Sequence, residues 1–224
     1  MYENLLRLPY FQGMSKDELT AILDKVKFNF TRHSDGELII SQSKSCENFV
    51  ILIQGEIKSE RSTPAQEYKL IETLTAPYAI EPGSLFGMHN NYRHNYYANG
   101  ECSILTISKS YLYTELSKHS IFGINLLNLI SLHEQQLNMI IWRNIPQSIE
   151  GRIARFVALR SEIHTGEKRL MIKMEELANQ LSETRLNISR ALNHMQQQGL
   201  LKLSRKEIHI PSLDKLLEAV WPNN

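Results

Sequence analysis

Between Thr184 and Arg190 the chain sets out five hydrogen-bonding side chains of the kind nucleic acids demand: Thr184, Arg185, Asn187, Ser189 and Arg190. An arginine fork matches the two acceptors on a guanine edge, an asparagine amide matches adenine, and small hydroxyls hold phosphate oxygens. Further on, Ser204-Arg205-Lys206 puts a hydroxyl and two cations in a row, which is chemistry suited to a sugar-phosphate backbone. A solvated polar helix face would also account for the first group, so the surrounding elements have to decide.

Met174, Leu177, Ala178 and Leu181 fall at spacing 0, 3, 4 and 7, which puts them on one face of a short helix. After a tight turn, Thr184 can cap a second helix whose apolar face is Ile188, Ala191, Leu192 and Met195, with Gly199 at its end. Two short helices joined in this way predict a helix-turn-helix over about Met174 to Gly199. The run Leu200 to Ile210 then alternates on either side of a basic turn, predicting a β-hairpin wing. Upstream, Ile153, Phe156, Val157 and Leu159 predict an amphipathic helix, followed by a turn at Thr165-Gly166 and a strand around Leu170 to Ile172. Pro146 breaks the preceding pattern and marks a hinge.

From Ser108 to Asn144 the periodicity is helical for most of its length. Leu127, Ile130, Leu137 and Ile141 make one stripe, Glu134 interrupts it, and a register through Leu126, His133 and Ile140 fits nearly as well. Such a helix either packs on a neighbouring core or pairs with its copy in a second subunit. Between Phe28 and Ser108 the texture is that of short strands, as in Glu37 to Ile40, Phe49 to Ile53, Tyr68 to Ile71 and Ser103 to Ile107. Gln54-Gly55, Pro82-Gly83 and Asn99-Gly100 stand as turn signals between them. Before these, Ser15 can cap a helix carrying Leu19, Ile22, Leu23 and Val26. The expected class is α+β: a double-stranded β-helix, jelly-roll-like sensor domain over 1–108, a dimerisation helix region over 109–145, and a winged helix-turn-helix over 146–224.

Composition narrows the function. Residues 1–145 hold 13 Lys and Arg against 15 Asp and Glu, whereas 146–224 hold 12 against 9, so the basic end is the one with the polar helix. No basic leader runs into an apolar segment and no apolar run is long enough to span a bilayer, which points to a cytoplasmic protein without membrane contact. Cys46 and Cys102 lie far apart, in no metal-binding spacing, and read as small buried side chains. There is no nucleophile-base constellation and no phosphate-cradling glycine loop, so neither an enzyme nor a cofactor is expected. A jelly-roll metal enzyme would call for a His-x-His pair, which His89 and His94 do not form.

The run Glu176 to Leu181, continuing through Ser189-Arg190-Ala191-Leu192 to Gly199-Leu200-Leu201, resembles the signature of the CRP/FNR family of bacterial transcription regulators. The resemblance extends to Gly151-Arg152-Ile153-Ala154, to Phe49 through Ile57, and to Leu8-Pro9-Tyr10-Phe11. It implies a homodimer on a palindromic double-stranded operator, with Arg185 and Arg190 reading bases and RNA polymerase as a possible further partner. Leu186 stands where the family often has Glu, which permits contact with a thymine methyl, and Lys173 stands where a Ser or Thr cap is usual. Nucleotide-binding members need a carboxylate for the ribose and an arginine for the phosphate, but the matching stretches here read Phe86-Gly87-Met88-His89 and Tyr92-Arg93-His94-Asn95. Cyclic AMP is therefore expected to bind weakly or not at all, and two cysteines cannot hold a four-ligand iron-sulfur cluster. Met88, His89, Tyr92, Arg93, His94, Tyr96 and Tyr97 form a candidate pocket for some other small-molecule effector, or else an exposed polar loop. An effector-independent regulator with a vestigial roll is the alternative.

Overall fold

The computed structural model describes residues 5–222. Its contacts divide the chain into two units, one of Met1–Lys58 with Leu74–Gln136 and one of Ser59–Thr73 with Leu137–Asn224.

The first unit opens on helix α1 (Lys16–Leu23), where the Ser15 hydroxyl accepts from the Glu18 amide while the Glu18 carboxylate accepts from the Ser15 amide. Strands β1 (Asn29–His33), β2 (Leu38–Ile40), β3 (Asn48–Ser62), β5 (Tyr78–Ile80) and β6 (Asn95–Ser108) follow, while β4 (Tyr68–Thr75), between β3 and β5 in the chain, belongs for most of its length to the second unit. β1 and β2 both lie antiparallel to β6, at Asn29↔Thr106 through His33↔Cys102 and at Leu38↔Tyr97, and β5 pairs with β3 at Val50↔Ile80. Inside sit Phe49, Ile51, Leu52, Ile57, Tyr96, Ile104 and Ile107. An aromatic cluster anchors the N-terminal segment to them, with the Tyr10 ring edge-on to Phe49 at 5.4 Å and Phe11 against Phe122 at 5.5 Å.

Gln54-Gly55 and Asn99-Gly100 do not separate strands as the turn signals suggested. Both lie inside continuous strands, β3 and β6. At Gly55 the backbone takes φ +85° and runs so close to β6 that a Cβ would come within 2.5 Å of the Glu101 carbonyl. Here glycine serves a close approach of two strands rather than a reversal.

After β6 the helical stretch is also less continuous than its periodicity suggested: α2 (Lys109–Thr114), a 3-10 turn at Leu116–Lys118, then α3 (Ser120–Trp142). The division between units falls within α3 rather than at Pro146. Among the described residues no helix is long and apolar enough to cross a membrane.

The second unit contains α4 (Ile149–Ala158), β7 (Lys168–Ile172), α5 (Met174–Gln180), α6 (Arg185–Gln197), β8 (Lys202–Ser204), β9 (Glu207–Ile210) and α7 (Leu213–Val220). Its core gathers Ile153, Phe156, Val157, Leu170, Leu177, Ile188, Leu192, Leu213 and Leu216. β9 flanks β7 on one side and carries β8 beyond it, all antiparallel. The other side of β7 takes β4, paired from Tyr68↔Ile172 to Glu72↔Lys168.

This pairing is why the expected boundaries at 108 and 145 do not match the contacts. Residues 59–73 belong with the C-terminal part because β4 pairs with β7 and Tyr68, Leu70 and Glu72 pack there. Leu70 joins the core, the Arg160 Nε donates to the Tyr68 hydroxyl at 2.7 Å, and the Arg160 guanidinium stacks on Phe156 at 3.6 Å. Glu72 is buried, accepts the Glu162 amide at 2.8 Å and faces the Lys168 ammonium at 3.3 Å.

Candidate nucleic-acid interface

The first helix of the motif, α5, starts at Lys173 with no side-chain cap, and Glu175 and Glu176 in its first turn complement the helix dipole instead. The turn that follows places Ser182 at φ +51° and ties the Glu183 amide to the Ala178 carbonyl at 2.9 Å. α6 then begins under a cap, the Thr184 hydroxyl accepting from the Asn187 amide at 3.1 Å. Its far end closes in a Schellman motif, with Gly199 at φ +73° and the Leu200 amide on the Met195 carbonyl at 3.0 Å.

Glu183 is the brace of this turn. It pairs with Arg152 of α4 and accepts from the Asn187 Nδ2 at 3.1 Å, and these two hydrogen bonds, Asn187 first, hold its carboxyl below the usual range. Arg152 also donates to the Leu181 carbonyl at 3.3 Å. Asn187, grouped with the base-reading side chains on sequence, is thus half-buried and turned toward the turn itself.

Along its N-terminal two-thirds α6 exposes a stripe of Leu186, Arg190 and Asn193, at spacing 0, 4 and 7, flanked by Arg185 and the half-buried Ser189. The Asn193 Nδ2 donates to the Ser189 carbonyl at 2.8 Å. Asn193 escaped sequence reasoning, which dwelt on the helix N-terminus, although its spacing from Leu186 and Arg190 placed it on the same face.

The wing turn carries Ser204, Arg205 and Lys206, all exposed, with Lys206 at φ +61°. Gln196 accepts the Leu203 amide at 2.7 Å and so fixes β8 to the end of α6, while Arg169 forks onto Glu207 at 2.8 and 3.0 Å beneath it. A groove of about 310 Å³ is lined by Lys173, Met174, Arg185, Ser204, Lys206 and Glu207. Three cations, Lys173, Arg185 and Lys206, therefore line the groove where the start of α6 meets the wing, together with the carboxylates of Glu175 and Glu207.

A Crp-like helix-turn-helix domain model matches residues 151–219, and a cyclic nucleotide-binding domain model matches residues 30–119. The chain belongs to the CRP/FNR family of transcription regulators. Two solved structures share the fold of this CRP/FNR regulator along nearly its whole length. The catabolite activator protein of Thermus thermophilus is 17% identical, covers 95% of this chain and 98% of its own, and superposes with a TM-score of 0.50. A crp/fnr family regulator of Eubacterium rectale is 18% identical, with 96% and 98% covered and a TM-score of 0.53. Among curated protein sequences none matches.

The regulator's seven candidate effector residues do not line one pocket. Arg93, His94 and Tyr96 converge on Glu81, a residue sequence reasoning did not single out. Tyr92 is buried apart from them and donates its hydroxyl to the Asn48 carbonyl at 3.3 Å. Tyr97 lies on the other side of β6 from Tyr96, beside Leu38. Met88 is 94% exposed and His89 is also on the surface.

Glu81 itself is 1% exposed. Burial would push its carboxyl up, but the hydrogen bond and charge of His94, followed by the amide and charge of Arg93, outweigh it and bring the pKa down to about 2. Its contribution to stability is therefore present above the ordinary carboxylate range and is lost as pH falls toward 2. A cyclic nucleotide does not fit these residues, because the one arginine of the stretch is engaged by an internal carboxylate and Met88 supplies no acceptor for a ribose. Cys46 and Cys102 are buried free thiols, and among the described residues no three His, Cys, Asp or Glu side chains gather around a metal-sized site.

Proposed function

We infer that this regulator acts in the bacterial cytoplasm as a homodimer on a two-fold symmetric operator. Arg185, Leu186, Ser189, Arg190 and Asn193 face base edges, and Thr184, Ser204, Arg205 and Lys206 hold the backbone. The observation that carries the reading is the exposed stripe of α6, polar and cationic, beside the basic wing on an otherwise packed unit.

Selection of operators from random DNA, followed by shift assays across a salt series, tests it. The affinity must fall steeply with salt, and Arg205→Ala should weaken all sequences alike while flattening the salt slope by about 2 per dimer, one phosphate contact on each half-site. Binding that ignores salt would reject the assignment.

The second copy is argued from α3. Ile124, Leu127 and Leu132 are exposed on its first part, and Met139, Ile141 and the 84%-exposed Trp142 on its last turns. So much bare apolar surface on one helix fits burial against the same helix of another subunit. Leu127→Glu with Leu132→Glu should sediment as a monomer and lose operator affinity by a hundredfold or more (about 3 kcal/mol). A dimer that persists would place the interface elsewhere. Contact with RNA polymerase belongs to the same reading and is open to transcription assays with the purified enzyme.

A further inference from the structure

Six donors close on one carboxylate in the first unit. Glu81 receives the Arg93 amide at 2.9 Å, the Arg93 Nε at 3.2 Å, the His94 amide at 3.1 Å, the His94 Nδ1 at 2.8 Å, the Tyr96 hydroxyl at 3.0 Å and the Ser84 hydroxyl at 3.0 Å. Two successive backbone amides, a guanidinium, an imidazole and two hydroxyls are the inventory of an oxyanion-binding site, not of a simple buried ion pair. They lie within the span that matches a cyclic nucleotide-binding domain, and they include Arg93, the one arginine of the stretch that matches the family's phosphate-binding segment.

The carboxylate reaches them at a cost in backbone geometry. Glu81 sits at φ +40°, ψ +55°, a left-handed conformation that a non-glycine residue adopts only when its surroundings enforce it. The next residues, Pro82–Ser84, form a 3-10 turn that directs Glu81 inward.

We propose that the oxyanion site of the roll is filled by the protein itself, the Glu81 carboxylate acting as a tethered ligand that holds the roll in its liganded arrangement without a nucleotide. The proposal rests on the reading of the roll as the sensor half of a regulator and specifies how that half is controlled. No anionic effector needs to enter, and one that did would have to displace a group present at very high effective concentration.

Glu81→Gly empties the site and at the same time relieves the left-handed strain. In sodium chloride this variant should melt about 5–10 °C below the parent protein, because several charge-assisted hydrogen bonds go together. Sodium acetate at equal ionic strength should recover about half of that loss, saturably, as a ligand binding only the folded state does. The parent should show no acetate-specific shift, and adding Arg93→Gln to Glu81→Gly should abolish the recovery. A Glu81→Gly protein as stable as the parent, or one that acetate, formate and inorganic phosphate all fail to rescue, overturns the proposal.

Glu81→Gln covers the case in which the glycine variant does not fold. Its amide still fills the site, so it should melt lower than the parent and gain nothing from acetate, and a gain would count against the proposal. Calorimetry of the parent with cyclic AMP and cyclic GMP should give no saturable binding, and operator affinity should change less than twofold in their presence. Saturable binding, or a tenfold change, would also overturn it. Melting and calorimetry need no DNA, so a failure of operator binding would leave this result standing.

Discussion

Arg190→Ala should sharply reduce discrimination between the selected operator and unrelated DNA while leaving the fold untouched. Arg190 is exposed in the middle of the outward stripe of α6 and takes no part in the core. A bidentate arginine-guanine contact discriminates by about 1–3 kcal/mol, and a symmetric dimer makes it twice, so the loss is about 2–6 kcal/mol, roughly 30-fold to 10⁴-fold. Binding to unrelated DNA should weaken far less, since most of the cationic surface remains. Competition shift assays with selected and scrambled DNA measure both. Asn187→Ala is the informative contrast: its amide is committed to Glu183, so the change should lower stability and leave the ranking of DNA sequences intact. If Asn187→Ala changed the preferred bases while Arg190→Ala did not, the reading face of α6 would be misassigned.

The second large effect lies at Glu72 and Lys168, whose side chains are 2% and 0% exposed. Glu72→Leu leaves the Lys168 ammonium buried without its carboxylate, a change that costs about 3–5 kcal/mol. Glu72→Leu combined with Lys168→Met removes both charges and should recover most of that loss. Desolvation already lowers the Lys168 pKa, with Glu72 the largest effect opposing it, so removing Glu72 lowers it further. The penalty on folding is then complete below the folded-state pKa and fades as pH rises toward 10.5, so the single variant should become relatively more stable with rising pH. Both tryptophans, Trp142 and Trp221, lie in the second unit, and their fluorescence during denaturation reports on it directly. A double variant as unstable as Glu72→Leu would show that the two side chains matter through shape rather than charge.

The helix-turn-helix was legible because every signal for it is local. Thr184, the apolar spacing of Ile188, Ala191, Leu192 and Met195, and Gly199 each act within a few residues, and the structure uses each as its type implies. The place of Glu72 was not legible, because what makes it part of the second unit is a strand pairing with residues far along the chain. Glu81 was missed for a related reason. Its partners follow it by only 3 to 15 residues, but the left-handed turn that aims it inward has no sequence pattern of its own when the residue is glutamate. Gly55 misled in the opposite direction, since glycine permits both a reversal and a close strand crossing, and composition does not separate them.

The β4–β7 pairing also sets an order of events during synthesis. Tyr68 leaves the ribosome roughly 100 residues before Ile172, its partner, so β4 waits on the order of 5–20 s for β7 at ordinary elongation rates. Until then its edge is unpaired and Glu72 has no ammonium to meet, and such an edge is a template for association with other chains. A DNA-binding fragment cut out from Pro146 onward would face the same deficit permanently, with β7 open on one side and the Lys168 ammonium without the Glu72 carboxylate. The DNA-binding half of this regulator is therefore not a detachable cassette: its last strand is delivered by a stretch of chain made long before it.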